Sequence, residues 1–270
     1  MVQQDPRLFR VERSRWRLED LVHCRYFLAD YSLAGVSKAL RRLQVRRKRG
    51  RLVVHSPDPA YHQKFWRLAQ VLQEAVAHPD RVRVLFGDEA SIYRQPSLGP
   101  CWDCRGHEPE ARLAAGANHC WRLAGALDAL SGQVTWLARS KMRVSSLRAF
   151  LRLLRQRYPD RSQRLVLVWD NWPVHHHPQV LAEADQQGID IVWLPTYAPW
   201  LNPIEKLWRK LKQTLGHHHR QAARWEEHKE QVAAFLDQYQ QGSRELLRYV
   251  GLDPTEPPPP ARRSSRSRAA

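Results

Sequence analysis

RLVLVWD (164–170) and IDIVWL (189–194) are short, almost unbroken apolar runs, and the stretch between them near 178–187 carries a helical period. Apolar runs of this length without polar alternation suit strands covered on both faces, which is the condition of parallel sheets. Two such strands joined through a helix form a crossover unit, and a crossover of this kind needs a sheet with helices on its faces. The pattern extends upstream. RVRVLFGD (81–88) reads as a strand, and strand-like runs recur near 91–95, 120–128 and 133–138. SSLRAFLRLLRQRY (145–158) has the apolar spacing of an amphipathic helix, and a further helix starts near Asn202 and runs to about Leu215. Three or four hairpin-type strands followed by helix, strand, helix, strand, helix predict an α/β fold: a mixed sheet with flanking helices.

A small helical region precedes this core. One short helix is expected from Arg17 to about Arg25, with Leu18, Leu21 and Val22 at helical spacing. A second follows Ser32, a good N-cap, with apolar positions Val36, Leu40 and Leu43. Two short helices across a tight turn suit a helix-turn-helix. Lys38, Arg41 and Arg42 on the second helix, and the run Arg46, Arg47, Lys48, Arg49 and Arg51, are candidate DNA contacts. A solvated basic helix and linker are the alternative. The resulting division is 1–50, a partial helix-turn-helix region; 51–79, a linker (HSPDP at 55–59) and a helix from about Ala60 to Ala77; 80–220, the α/β domain; 221–252, C-terminal helices; and 253–270, a basic tail with four consecutive prolines that is expected to be disordered.

The charge balance narrows the partner. Forty-four Lys and Arg stand against 27 Asp and Glu, a formal net charge of +17, which favours a polyanion through counterion release. Nucleic acid fits best. A membrane is not indicated, because no run of about 18 apolar residues exists. The opening MVQQDPRLFRVERSRWR has no apolar stretch of the secretory kind, so a cytoplasmic location is expected, at the nucleoid when bound to DNA. Four cysteines are too few for a disulfide scaffold and read as reduced thiols. Cys101, Cys104, His107, His119 and Cys120 have passable zinc spacing, but one CxxC alone is weak. The histidine run His217–His219 reads as a solvated helix end rather than a metal-binding run.

Asp88 and Asp170 each end a predicted strand, and Glu205 lies in the first turn of a predicted helix. Open α/β sheets bind ligands at the edge where strand ends collect. Three hard oxygen donors there suit Mg²⁺ or Mn²⁺, and two ions about 4 Å apart would stabilise a phosphodiester displacement. Taken singly, each acid could equally be a turn or cap residue. Glu89 neighbours Asp88 but points to the opposite face, which gives it a structural or supporting role.

The local words around these residues are distinctive. Asp88 sits in FGDEASIYRQPSLGPCW, Asp170 in VLVWDNWPVHHHP and Glu205 in WLPTYAPWLNPIEKLWRKLK, with RLAGALDALSGQV between the first two; thirty-four residues separate Asp170 from Glu205. Over roughly residues 16–215 the chain resembles the mariner superfamily of DDE transposases, in particular the bacterial insertion-sequence 630 group. The resemblance implies an RNase H-like fold preceded by a helix-turn-helix region, and a catalytic triad of Asp88, Asp170 and Glu205 holding Mg²⁺ or Mn²⁺, as two ions. It implies cleavage of double-stranded DNA at terminal inverted repeats, strand transfer into target DNA at TA, and a homodimer on DNA. Asn171 and His175 match its Asp-Asn…His word, and Asn202 with Pro203 leads into the Glu205 helix; all three polar residues are candidates for shaping the site. The chain departs from the pattern in two places. Trp200 stands where Asp is common, and could stack on an unpaired base. One helix-turn-helix is visible where the group has two, so the chain reads as N-terminally shortened. Trp172, Trp200 and Trp208 lie near the triad and are candidate DNA contacts. A catalytically silent DNA-binding remnant, acting as a repressor of a related element, is the alternative function. Another RNase H-like nuclease, such as a resolvase, is disfavoured by the LNPIE word.

Overall fold

The structure, a computed structural model, describes residues 4–11, 16–23, 31–45, 56–102, 104 and 110–253. It divides into two compact units, 1–54 and 55–270.

In the first unit, α1 (Leu18–His23) packs against α2 (Leu33–Arg42). Ser32 caps α2, its hydroxyl accepting from the Gly35 N–H at 3.1 Å, as its residue type dictates. Leu21 and Val36 are buried, whereas Leu43, the expected third position of the stripe, is exposed because α2 ends one residue before it. Lys38, Arg41 and Arg42 are exposed. Arg46, Arg47, Lys48, Arg49 and Arg51 lie outside the described residues, as does the segment 24–30 between the helices.

The second unit is built on five strands: β1 (Val82–Tyr93), β2 (Cys120–Asp128), β3 (Val134–Arg139), β4 (Arg164–Trp169) and β5 (Ile189–Trp193). Their order is β3-β2-β1-β4-β5. The β1-β2-β3 half is antiparallel and the β1-β4-β5 half parallel, the mixed sheet expected from hairpins followed by crossovers. One expectation needs correcting. Residues 81–88 and 91–95 are not two strands but one twelve-residue strand, β1, so Asp88 lies within a strand rather than at its end. The cause is β2, which pairs with β1 continuously from Leu85 to Tyr93, so the ladder never breaks between the two runs.

Side-chain alternation sends each strand's residues to two faces. Val84, Phe86, Leu123, Leu127, Val166 and Val168 form one core with α3 (Tyr61–Ala77), α6 (Ile204–Leu211), α7 (Trp225–Asp237) and α8 (Arg244–Val250). Leu85, Ala124, Ala126, Leu165, Leu167 and Trp169 form the other with α4 (Val144–Arg157) and α5 (Pro178–Gln186). On α4, Leu147, Phe150, Leu151 and Leu154 recur at i, i+3, i+4, i+7, and all are buried. Each such side chain contributes about 1.5–3 kcal/mol through burial. Ile204, Leu207, Trp208 and Leu211 repeat that spacing on α6 and are buried throughout, which seats the helix on the sheet.

Candidate active site

The register of the parallel pair positions two of the three acids. Phe86 lies opposite Val168. Two residues further along each chain come Asp88, in phase with the strand residues that face α6, and Asp170, just past the end of β4. β4 has ended at Trp169, while β1 continues as a ribbon with β2. Both acids therefore lie toward the edge where the parallel half of the sheet stops, next to the continuing β1–β2 ladder.

Glu205 reaches this edge because α6 lies low on the sheet. Asp88 pairs with Gly125 of β2, and the Trp208 ring covers that glycine so closely that a Cβ there would stand 2.6 Å from Trp208 Cη2. Only a residue without a side chain admits the ring. Asn202 ties the start of α6 to the same place: its Nδ2–H donates to the Gly87 carbonyl at 2.9 Å, and its own carbonyl accepts from the Glu205 N–H at 3.2 Å. Asn171 donates through Nδ2 to the Leu194 carbonyl, joining the turn after β4 to the end of β5.

His175 is the most confined polar group of the site. Its ring is fully buried and stacks on Trp169 with centroids 3.7 Å apart. Nδ1 lies 2.9 Å from Asp170 Oδ1, and Nε2 lies 3.1 Å from Glu89 Oε1. Both neighbours are acceptors, so both ring nitrogens act as donors and the ring is an imidazolium. Burial opposes that charge, but the hydrogen bonds to Asp170 and Glu89 outweigh it and push the ring up to about 9. The Trp172 N–H also donates to Asp170 Oδ1, at 3.1 Å. Burial likewise works against the Asp170 carboxylate, and the donations from His175 and Trp172 still hold it below the usual range. Glu89, read from the sequence only as a supporting residue on the far face, is the second anchor of this bridge. Its partner lies 86 positions away, a pairing no local pattern announces.

Two of the three carboxylates are raised. Asp88 is pushed up to about 8, by burial first and then by the charges of Glu205, Glu89 and Asp170. Burial also raises Glu205, with Lys212 pulling it down and Asp170 pushing it up. Among the described residues no three His, Cys, Asp or Glu side chains are drawn into a closed metal-holding cluster. The charge of Asp170 is felt at both Asp88 and Glu205, and that of Glu205 at Asp88. An all-oxygen, mutually repelling donor set of this kind fits Mg²⁺ or Mn²⁺.

Other candidates fall differently. Trp208 is 2% exposed, so it is a core residue seated on Gly125, not the DNA contact its sequence position suggested. Trp172 and Trp200 are exposed. The histidine run is not a solvated helix end: His217 Nδ1 lies 2.9 Å from Ser97 Oγ, the Gly99 N–H lies 3.1 Å from His218 Nε2, and His219 stacks on His228. The first two hold the segment after α6 to the loop after β1, and the third sets it against α7. Cys101 and Cys120 are free thiols, and His107 of the weak zinc reading lies outside the described residues.

Comparison with known proteins bears on the family and the fold. The DDE superfamily endonuclease family model matches residues 83–229. The insertion element IS630 uncharacterized 39 kDa protein of Shigella sonnei is 24% identical over 235 residues, 84% of this chain and 65% of that protein; the chain thus spans just under two thirds of that relative. Among solved structures, the Mos1 transposase paired-end complex with left transposon end gives a TM-score of 0.62 at 17% identity, covering 94% of this chain and 76% of that one. The Mos1 mariner paired end complex with Mn gives 0.62 at 17% identity, covering 92% and 74%. At this identity the likeness speaks to fold, and the fold is the RNase H-like one.

Proposed function

Since the chain belongs to the DDE superfamily of endonucleases, we propose that it is a DNA transposase of the mariner and IS630 type, with Asp88, Asp170 and Glu205 as its catalytic acids. The observation that supports this reading is the register: Phe86 and Val168, two residues before Asp88 and Asp170, are paired near the end of the parallel strands, and α6, which carries Glu205, is seated on Gly125, the partner of Asp88 in β2. The three carboxylates would hold two Mg²⁺ or Mn²⁺ ions. Such ions supply Lewis-acid charge at both the attacking and the leaving oxygen of a phosphodiester displacement.

The chain's own residues do the positioning. His175 and the Trp172 N–H both occupy Asp170 Oδ1, which leaves Oδ2 as the oxygen for a cation. Glu89 holds the far side of the imidazolium, so Asp170 is oriented by a carboxylate–histidine–carboxylate bridge. Asn202 fixes the start of the Glu205 helix against the backbone that carries Asp88. Little covalent chemistry falls to the protein: it orders the strand and places charge where the transition state develops it. The substrate is double-stranded DNA at the terminal inverted repeats, first cut by water, then joined through its 3′-OH to target DNA at TA. Pairing two ends requires a homodimer on DNA. In the first unit, Lys38, Arg41 and Arg42 on α2 contact the repeat.

The test is strand cleavage on DNA carrying the flanking repeats, with Mg²⁺ or Mn²⁺, comparing wild type with Asp170→Asn. The expected result is metal-dependent nicking at the repeat ends that disappears in the folded variant. Absence of cleavage by folded wild type, with the upstream segment of a longer relative supplied, identifies a silent DNA-binding remnant instead.

A further inference from the structure

A strip of large aromatic side chains runs from the site loop onto α3, outside both cores. Trp200 is 49% exposed, Phe65 37% and Trp66 62%. The strip is continuous. The Trp200 indole N–H donates to the Tyr61 hydroxyl at 3.3 Å. Tyr61 and Phe65 sit one turn apart on α3, with rings parallel to within 7° and centroids 6.4 Å apart. Phe65 meets Trp66 edge-on at 5.8 Å.

The strip is also held rigidly. Asp58 Oδ2 accepts from the Thr196 N–H at 2.9 Å, the Thr196 hydroxyl at 3.3 Å and Lys64 Nζ at 2.8 Å, while the Ser56 hydroxyl donates to the Thr196 carbonyl at 2.5 Å. These bonds pin the loop that carries Trp200 to the start of α3. In the same loop Tyr197 adopts a left-handed backbone, φ 53°, with its side chain 74% exposed. A bulky residue in that region is strained, and such strain collects at ligand-contacting loops. Two residues after Trp200 comes Asn202, bonded to the backbone beside Asp88.

We propose that Trp200, Tyr61, Phe65 and Trp66, with Tyr197 at the mouth, form a ledge on which unpaired nucleobases of a DNA strand stack as it enters the Asp88–Asp170–Glu205 edge. The proposal rests on the transposase reading and adds a substrate feature to it: part of the strand at the site is unpaired. Aromatic faces exposed beside basic groups are the recognition chemistry of single-stranded nucleic acid. Bases inside a duplex are already stacked and present no free face. Charge selects this occupant over a protein. The cores of protein interfaces are depleted of charged residues, whereas α3 sets an exposed Arg67 beside these rings, in a chain of net charge +17.

The experiment measures binding of the full chain to a 20-nucleotide oligo(dT) and to a duplex of equal length, by tryptophan quenching and fluorescence anisotropy at fixed salt. The chains are wild type, Trp200→Ala, Phe65→Ala and Trp200→Phe. Loss of one stacked base is expected to weaken oligo(dT) binding about tenfold or more, with duplex binding changed less than about twofold and the melting temperature retained. Trp200→Phe restores most of the affinity. Unchanged oligo(dT) binding in the alanine variants overturns the ledge, and so does an equal loss on both DNAs. Dissociation of a dimer by Phe65→Ala, seen by sedimentation and without loss of oligo(dT) affinity, reassigns the strip to self-association. End cleavage by wild type, run in parallel, separates the two ideas: cleavage with indifferent ledge variants sinks the ledge alone, and a wild type that neither binds nor cuts DNA sinks both.

Discussion

Gly125→Ala tests how the third acid is brought to the site. The new Cβ would lie 2.6 Å from Trp208 Cη2, 2.7 Å from Cζ2 and 3.5 Å from Ile204 Cδ1. Carbon atoms in ordinary contact sit about 3.5–4.0 Å apart, so the ring must retreat by about 1 Å. Trp208 is 2% exposed and packed among Ile204, Leu207 and Leu211, so it cannot swing clear, and the strain passes to α6. Overpacking of this kind costs about 1–3 kcal/mol, a fall of roughly 2–12 °C in melting temperature for a unit of this size. Glu205 lies one turn before Trp208 on the same helix, and a displacement of about 1 Å at a reacting centre costs on the order of a hundredfold in rate. Thermal melting and metal-dependent end cleavage are the two assays. The double variant Gly125→Ala with Trp208→Phe removes the two clashing indole carbons, so cleavage is expected to recover ahead of full stability. A single variant as stable and as active as wild type would refute the argument that Gly125 sets the height of α6.

Three further outcomes follow from particular contacts. His175→Phe keeps a ring on Trp169 but removes both N–H donors, and loss of two charge-assisted bonds is expected to lower stability by about 3 kcal/mol in denaturant unfolding; Glu89→Gln, which still accepts from Nε2, should lose much less, and equal losses would contradict the bridge. His228 is buried against His219, both ring nitrogens lack a partner, and burial first and His219 second hold it down at about 4. The neutral ring is therefore the native form: its stability contribution is complete above the ordinary value of 6.5 and is lost as pH falls through about 4, on the order of 3 kcal/mol in all. His228→Leu should flatten acid unfolding in that window, and an unchanged profile would show that another group governs it. Arg94 donates to the carbonyls of Ala115, Ala117 and Ala222, so Arg94→Ala should speed proteolysis around 114–118 with the sheet intact, and unchanged cleavage kinetics would count against that role.

Much of this molecule was legible in the chain of letters. The apolar runs 164–170 and 189–194 specified a parallel pair because burial on both faces leaves no room for polar alternation. The period of Ile204, Leu207, Trp208 and Leu211 specified α6, and the words around Asp88, Asp170 and Glu205 carried the family resemblance on which the proposed triad rests. What those residues meet was decided elsewhere. The unbroken length of β1, which places Asp88 inside a strand, depends on hydrogen bonds to β2 that local propensity does not encode. Trp208 is core rather than DNA-facing because Gly125, on another strand, leaves space for its ring. The histidine run became a staple only because the loop after β1 folds back to meet it. Glu89 acquired its partner through a buried imidazole far along the chain. Periodicity reports which face of an element is apolar, a property of neighbouring residues; register, helix height and cross-sheet hydrogen bonds are relations between distant segments, and they exist only once the chain has closed on itself.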